Sequence, residues 1–232
     1  MVPKGWKRMP VREVARMYSG GTPSKADDSY WGGDVPWFSA KDLKSFRLTS
    51  SIIRLTAAGA SANTRLVPKG SILLLVRGMT LLKDVPIGVT TRESAYNQDL
   101  RALVPTNGIL PDFLAYALLA NKGQLRRYVN LAGHGTGRLE SEFIAELPLL
   151  VAPASEQKAI TDILRVWECR IHALALAFNA KKRLKRGLMQ QLLTGRSRFP
   201  GFGASWKACR IGDVLKDTSR MVKLCLLYTS PS

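Results

Sequence analysis

SEQKAITDILRVWECRIHALALAFNAKKRLKRGLMQQLLTG, residues 155–195, is the stretch that decides the fold. Ser155 is a good N-cap, since its side-chain oxygen can accept from a first-turn N–H. Glu156 stands in the first turn, where a carboxylate complements the helix dipole. No Pro or helix-interrupting Gly follows until Gly187. Apolar residues recur at heptad spacing along two seams. One carries Ile160, Trp167, Leu174 and Leu188; the other carries Leu164, Ile171, Phe178 and Leu192. Lys181 and Lys185 interrupt both at the same level. As one helix, residues 156–194 would be roughly 58 Å long at 1.5 Å per residue. A two-seam rod of that length cannot bury its own stripe. The chain holds no second heptad segment, so the partner helix must come from elsewhere.

Upstream of Pro153 the pattern is different. Ser19–Gly20–Gly21–Thr22–Pro23 reads as a loop, because paired glycines followed by Pro break regular structure. Trp31–Gly32–Gly33–Asp34–Val35–Pro36–Trp37–Phe38 reads as a second turn-rich stretch, framed by aromatics. Ser71–Val76 has the short, apolar, partly branched character of a buried strand, with Pro68–Lys69–Gly70 turning into it. Leu100–Val104 is another such strand, ended by Pro105–Thr106–Asn107–Gly108. Pro111–Ala120 reads as a helix with Pro at its start. Strands and helices do not alternate regularly, so the class is α+β rather than a doubly wound sheet. The expected organisation is a mixed α/β unit over 1–152, a long coiled-coil-forming helix over 153–195, and a remainder over 196–232.

That remainder repeats the beginning. Trp6–Lys7 and Trp206–Lys207 stand 200 positions apart, and the register continues through Val11 with Ile211, Glu13 with Asp213, Val14 with Val214 and Ser19 with Ser219. The plan is a globular unit, a helical rod, then the start of a second globular unit. Residues 224–232 leave the register of the first copy, and nothing in their composition assigns them a role.

Charge limits the partners. Across 232 residues, 35 Lys and Arg stand against 17 Asp and Glu, a formal net charge of +18. Such a field attracts polyanions, nucleic acid first, with anionic membrane and ribosomal RNA as the other choices. Hydrophobic residues at 46% suffice for a folded core. The longest aliphatic run, Ile72–Val76, is far shorter than the ~20 residues that span a bilayer. Lys4, Lys7 and Arg8 have no apolar stretch behind them, so the N-terminus does not read as a signal peptide. Cys169, Cys209 and Cys225 share no metal-ligand spacing and read as reduced thiols of a cytoplasmic protein.

Several runs together resemble the specificity subunits of type I restriction–modification systems. The Trp6–Lys7 opening with the small-residue loop Ser19–Ser24 is similar to the start of that family's target-recognition domain. So are Asp34–Val35–Pro36–Trp37–Phe38 and Asn97–Gln98–Asp99–Leu100–Arg101–Ala102–Leu103–Val104–Pro105. Gly135–Thr136–Gly137, Leu147–Pro148–Leu149 and Pro153–Ala154–Ser155–Glu156–Gln157 resemble the hand-over from that domain to the central helix. Lys185–Arg186–Gly187–Leu188–Met189–Gln190–Gln191–Leu192–Leu193–Thr194–Gly195 looks like the end of that helix and is the most specific signature.

The resemblance implies a non-catalytic, sequence-specific subunit for double-stranded DNA. Modification subunits would bring S-adenosylmethionine and methylate adenine; a restriction subunit would use ATP and Mg. No cofactor or metal is expected on this chain. The family's plan has two recognition domains and two antiparallel helices, so the resemblance also implies a C-terminally truncated form. A two-fold pair of this chain would restore both helices. The alternative from another class is a structural or interaction protein, unconnected with DNA, that assembles through its coiled-coil helix.

Enzymatic motifs are sparse. There is no Gly-x-x-x-x-Gly-Lys-[Ser/Thr] loop and no Asn/Asp-Pro-Pro-Tyr motif. Pro111–Asp112 with Glu156–Gln157–Lys158 fits a nuclease-like pattern, yet both lie at helix starts, where capping alone explains Pro and acidic residues. Gly133–His134–Gly135–Thr136–Gly137 reads as a flexible connector rather than an anion-cradling loop, and His172 as a rod-surface residue.

Base discrimination in the major groove needs forked groups, Arg for guanine and Asn or Gln for adenine; phosphate contact needs Lys, Arg or backbone N–H groups. Lys25, Lys41, Arg77, Lys83 and Arg92 lie in or beside expected loops. Tyr30, Trp31 and Trp37 offer rings to pack on sugars or wedge at bases. Asn97 and Gln98 stand just before a strand, where a structural turn is an equal reading. Lys181, Lys182 and Lys185 belong to the densest basic run, either a solvated helix face or a surface for the phosphates between two half-sites.

Overall fold

The computed structural model describes residues 2–106, 108–132 and 135–215. The chain divides into two compact units, Met1–Cys169 and Arg170–Ser232. The first half of the first unit comprises β1 (Lys7–Pro10), α1 (Val11–Val14), β2 (Ala15–Ser19), β3 (Trp31–Phe38), β4 (Arg47–Leu48), β5 (Ile53–Leu55), α2 (Ala57–Ser61), β6 (Ile72–Leu75) and β7 (Arg77–Gly78). Then come β8 (Ile87–Thr90), β9 (Ala95–Tyr96), β10 (Leu100–Pro105), α3 (Pro111–Ala120), α4 (Lys122–Arg127), β11 (Val129–Ala132), β12 (Thr136–Leu139), α5 (Ser141–Ala145) and β13 (Pro148–Val151). The long helix α6 (Ala154–Leu193) follows, and α7 (Ile211–Val214) lies in the second unit.

The apolar run 72–75 forms the middle of the molecule. Strand β6 is buried on both faces, as an uninterrupted Ile-Leu-Leu-Leu requires. It is the third strand of a five-stranded sheet ordered β2-β10-β6-β8-β4, antiparallel except where β4 runs parallel to β8. Helix α3 starts with Pro at its first position and buries Phe113, Leu114, Ala115 and Leu118 in the same core. The class is α+β, with both expected strands and the expected helix in place.

Two expectations are corrected. Residues 31–38, read as turns, form strand β3, antiparallel to β5 and parallel to β9, with a register shift between Trp31 and Val35. Gly32 takes a positive φ of 84°, and a Cβ on Gly33 would lie 2.5 Å from the Leu55 carbonyl oxygen. These glycines supply the bulge, while burial of Trp37 and Phe38 holds the strand against its local turn preference. The second concerns residues 133–137, read as a flexible connector to the rod. Gly133 and His134 lie outside the described residues, but Thr136 and Gly137 open β12, the middle strand of the sheet β11-β12-β7. Gly137 is buried there, and a Cβ on it would lie 2.8 Å from Leu81 Cβ. The connector to the rod is instead the short stretch after β13.

Strand β1 pairs antiparallel with β13, Lys7 opposite Val151 and Pro10 opposite Pro148. The first and last strands of the β1–β13 unit are therefore neighbours, and α6 leaves from that junction. Trp6 completes it: its indole N–H donates to Glu156 Oε2 at 3.0 Å, and its ring meets Phe113 edge-on. Gln157, almost fully buried, is the deepest anchor. Its Nε2 donates to the carbonyls of Gly108 and Ala152, and its Oε1 accepts from the Leu110 N–H at 2.9 Å. The compact unit extends to Cys169, because this first part of α6 is docked by Gln157, Thr161 and Glu168.

In the second unit the remainder of α6 runs to Leu193, and Gly195 takes a φ of +72° just beyond it, as a helix-terminating glycine does. Trp206 packs beside Gly195 and lies under the Arg198 guanidinium. The one-turn helix α7 stands where the repeat places it. In α1 the Ala15 N–H bonds to the Val11 carbonyl; in α7 the Leu215 N–H bonds to the Ile211 carbonyl, 200 residues on. Ser219 and residues 224–232 lie outside the described residues.

Candidate nucleic-acid interface

The helical seam begins in contact with its own domain. Ile160 packs against the main core, a correction to its place among helix-pairing positions. With Leu164, Trp6, Phe113 and Tyr116 it lines a groove of about 560 Å³. Beyond that level Trp167, Ile171, Leu174, Phe178 and Leu188 are exposed, and Leu192 is half-buried. An apolar stripe of this length in water needs a partner surface.

A polar network, invisible in the sequence, fixes α6 to the sheet. Arg47 Nε and Nη2 donate to both oxygens of Glu168 at 2.9 and 2.8 Å, and Nη1 donates to Asp112 Oδ1. Tyr116 donates its hydroxyl to the same Glu168 Oε2 at 2.7 Å. Arg165 approaches Asp112 Oδ2 at 3.4 Å. Burial draws the Arg47 pKa down, but its bonds to Glu168 and Asp112 outweigh that and raise it above the ordinary value. Burial pushes the Glu168 carboxyl up, yet hydrogen bonds from Arg47 and Tyr116 hold it below the usual range. Asp112 and Glu156, the two carboxylates of the nuclease-like pattern, are thus engaged with Arg47 and Trp6 respectively.

Three polar or aromatic candidates serve the fold. Asn97 is buried and makes a turn: its Oδ1 accepts from the Asp99 N–H at 3.2 Å, its Nδ2 donates to Asp99 Oδ2, and its own N–H bonds to the Phe38 carbonyl. It is unavailable to a base, which corrects the recognition reading. Trp37 is a core residue whose indole N–H bonds to the Gly21 carbonyl at 3.0 Å. Trp31 lies edge-on against Trp37 and donates to the Ser24 carbonyl. Only part of its ring faces solvent. Tyr30 is half-buried and ends a 3₁₀ turn. Gln98 is exposed, and its Oε1 accepts from Thr22 Oγ1 at 2.8 Å.

The cations lie where a polyanion can reach them. Lys25, Lys41, Lys83 and Arg92 are exposed in connections, and Arg77 is exposed on β7, a strand and not a loop. Among the described residues none of these five side chains has an ion-pair or hydrogen-bond partner. Lys181, Lys182 and Lys185 are exposed on α6, with Lys182 Nζ 4.5 Å from the Phe178 ring centroid. No local pattern marks Arg47, Asn130 or Arg138 for a site, and Arg101 stands in its motif without a role of its own. Arg138 is set apart only by strand pairing, which places it opposite Arg77.

The chain is thus an α+β unit closed by its terminal strands, with a docked heptad helix and a net charge of +18. Residues 3–186 match the family described as type I restriction modification DNA specificity domain, and the chain belongs to that family. It is 29% identical over 161 residues, 68% of this chain and 39% of the other, to the EcoR124I/EcoR124II specificity subunit of Escherichia coli. Its fold is similar to the crystal structure of the HsdS subunit from Thermoanaerobacter tengcongensis, with a TM-score of 0.58 at 20% identity over 82% of this chain and 45% of that one. A chain from a structure of the type I R-M system gives a TM-score of 0.63 at 20% identity, covering 82% of this chain and 46% of that one. The chain spans about 39% of the length of the curated relatives it matches. No helix among the described residues is long and apolar enough to cross a membrane.

Proposed function

We propose that this chain supplies DNA-sequence recognition to a type I restriction–modification assembly and contributes no catalysis of its own. The observation that carries the reading is that the family match over residues 3–186 takes in the whole β1–β13 unit together with most of the long helix. The +18 charge supports it, since counterion release from phosphates drives protein association with DNA. The recognition unit binds one half of a split target, and α6 sets the distance to the other half. Its exposed apolar stripe takes a second helix, from another copy of the chain or a second recognition half. Modification and restriction subunits, in the cytoplasm, bring S-adenosylmethionine, ATP and Mg; the adenine to be methylated leaves the stack to reach them.

The test is co-expression with the modification subunit encoded nearest the gene, followed by co-purification and mapping of methylated adenines. The expected result is a stable complex and methylation at one defined sequence. Absence of complex, methylation and low-salt DNA binding together would sink the reading in favour of a helix-mediated assembly protein.

A further inference from the structure

The three-stranded sheet β11-β12-β7 sets three forked side chains in a row. Asn130 stands opposite Arg138, and Arg138 stands opposite Arg77. Residues directly opposite on neighbouring strands point to the same face. All three are exposed. The Leu139 N–H bonds to the Val76 carbonyl, so Arg138 and Arg77 form the pair type whose side chains stand closest. Like charges directly opposite each other are destabilising in a sheet. Glu140 offsets part of this by binding Arg138 Nε at 2.8 Å and Nη2 at 3.2 Å. Arg77 has no such partner among the described residues.

A third guanidinium adds to the same field. Arg101, on β10, is half-buried and held by Ser141 Oγ and the carbonyls of Gln98 and Leu100. Burial lowers its pKa; Tyr96 and Glu140 work against that, while Arg77 and Arg138 lower it further. Arg101 therefore feels the charge of Arg77 and Arg138, with Glu140 as the opposing carboxylate. An isolated protein gains nothing from this crowding, which an electronegative ligand relieves.

We infer that the row Asn130–Arg138–Arg77 enters the DNA major groove and reads base edges. This rests on the DNA-recognition reading above and names the side chains that do the reading. Three strands about 4.8 Å apart place the outer side chains roughly 10 Å from each other. That fits a groove about 12 Å wide and spans about three base-pair steps. The arginines match the O6 and N7 acceptors of guanine, and Asn130 matches the N6–N7 edge of adenine. Glu140 holds one edge of the Arg138 fork and so sets its direction, as a positioning residue.

The experiment is selection of a randomised DNA duplex pool by the full chain, with salt titration of the selected duplex. Wild type, Arg77→Lys, Arg138→Lys, Arg77→Ala, Arg138→Ala and Asn130→Ala are compared after matching their melting curves. Lysine keeps the charge and removes the fork. Arg77→Lys, Arg138→Lys and Asn130→Ala are each expected to erase preference at one position of the selected motif, by roughly 5- to 150-fold, with the salt slope unchanged. A wild-type motif that survives all three substitutions overturns the inference. So does a uniform loss across sequences in Arg77→Ala and Arg138→Ala, with a slope lower by about 0.9 each, which marks phosphate clamps. Duplex binding by wild type without any motif overturns it too. If wild type binds no duplex at low salt, the DNA-recognition reading itself has failed, a result distinct from the others.

Discussion

The guanidinium of Arg47 grips both carboxylate oxygens of Glu168 across 121 residues of sequence. Arg47 lies on the short edge strand β4, and Glu168 lies on α6. The pair ties the edge of the central sheet to the long helix. Because Arg47 also reaches Asp112 on α3, one side chain joins three elements.

Removing the arginine should cost more than removing either acid. Arg47→Ala leaves Glu168 and Asp112 without their shared cation in a partly buried site, at about 3 kcal/mol. Glu168→Gln retains shape and loses charge, at about 2 kcal/mol. Urea unfolding of the full chain, followed by circular dichroism, measures both; equal midpoints for both variants and wild type would exclude the tie.

Acid should loosen the same tie. The folded carboxyl of Glu168 lies below its ordinary value of 4.5, burial pushing it up and the bonds from Arg47 and Tyr116 prevailing. A depressed carboxyl stabilises the fold fully above its unfolded value and loses that contribution as pH falls through the folded value. The wild-type melting temperature should therefore fall below pH 4.5 more steeply than that of Glu168→Gln. Calorimetry over about pH 3 to 6 reads this, and parallel curves would assign the acid sensitivity elsewhere.

Gln157 is the deepest polar anchor of the helix start. Gln157→Ala strands the carbonyls of Gly108 and Ala152 and the N–H of Leu110. A loss of about 2 kcal/mol is expected, with amide exchange accelerating first at the start of α6. Exchange that accelerates uniformly over the unit would place the anchor elsewhere.

Two glycines should respond in opposite directions to alanine. A Cβ on Gly20 would lie 2.4 Å from the Tyr96 carbonyl oxygen and 2.5 Å from that of Asn97. The backbone of the loop must then move, at a cost of about 3 kcal/mol. Gly187 is helical with nothing within 4 Å of such a Cβ, so Gly187→Ala should gain about 0.5–1 kcal/mol. Thermal midpoints of the two variants check the pair.

Tyr96 buries a hydroxyl that has no hydrogen-bond partner among the described residues, and burial raises its pKa. Tyr96→Phe should be neutral or stabilise by up to about 1 kcal/mol, because an unpaired buried hydroxyl is a cost. A loss above that size in chemical denaturation would reveal a role for the oxygen.

Much of the fold was legible in particular residues. The Ile72–Leu75 run is apolar at every position, so it had to be buried on both sides, and Pro111 had to start a helix. The long helix followed from its two heptad seams, broken only at Lys181 and Lys185, and the repeat at 200 positions from the two Trp–Lys pairs. Strand β3 was not legible, because its two glycines and two turn-formers mask a bulged strand that only the packing of Trp37 and Phe38 enforces. Asn97 looked equally like a reader and a turn, and only its burial decided.

By itself, the sequence determined what local pattern and composition dictate: the α+β class, the long helix, the positive charge and the family resemblance. Each depends on residues near one another in the chain or on a sum over all of it. The tertiary structure alone decided which distant residues meet. Arg47 finds Glu168, Gln157 finds Gly108, and Asn130, Arg138 and Arg77 fall into one row, because strand register and helix docking are set by burial of the whole core. A one-residue slip in register would turn each of those side chains to the other face.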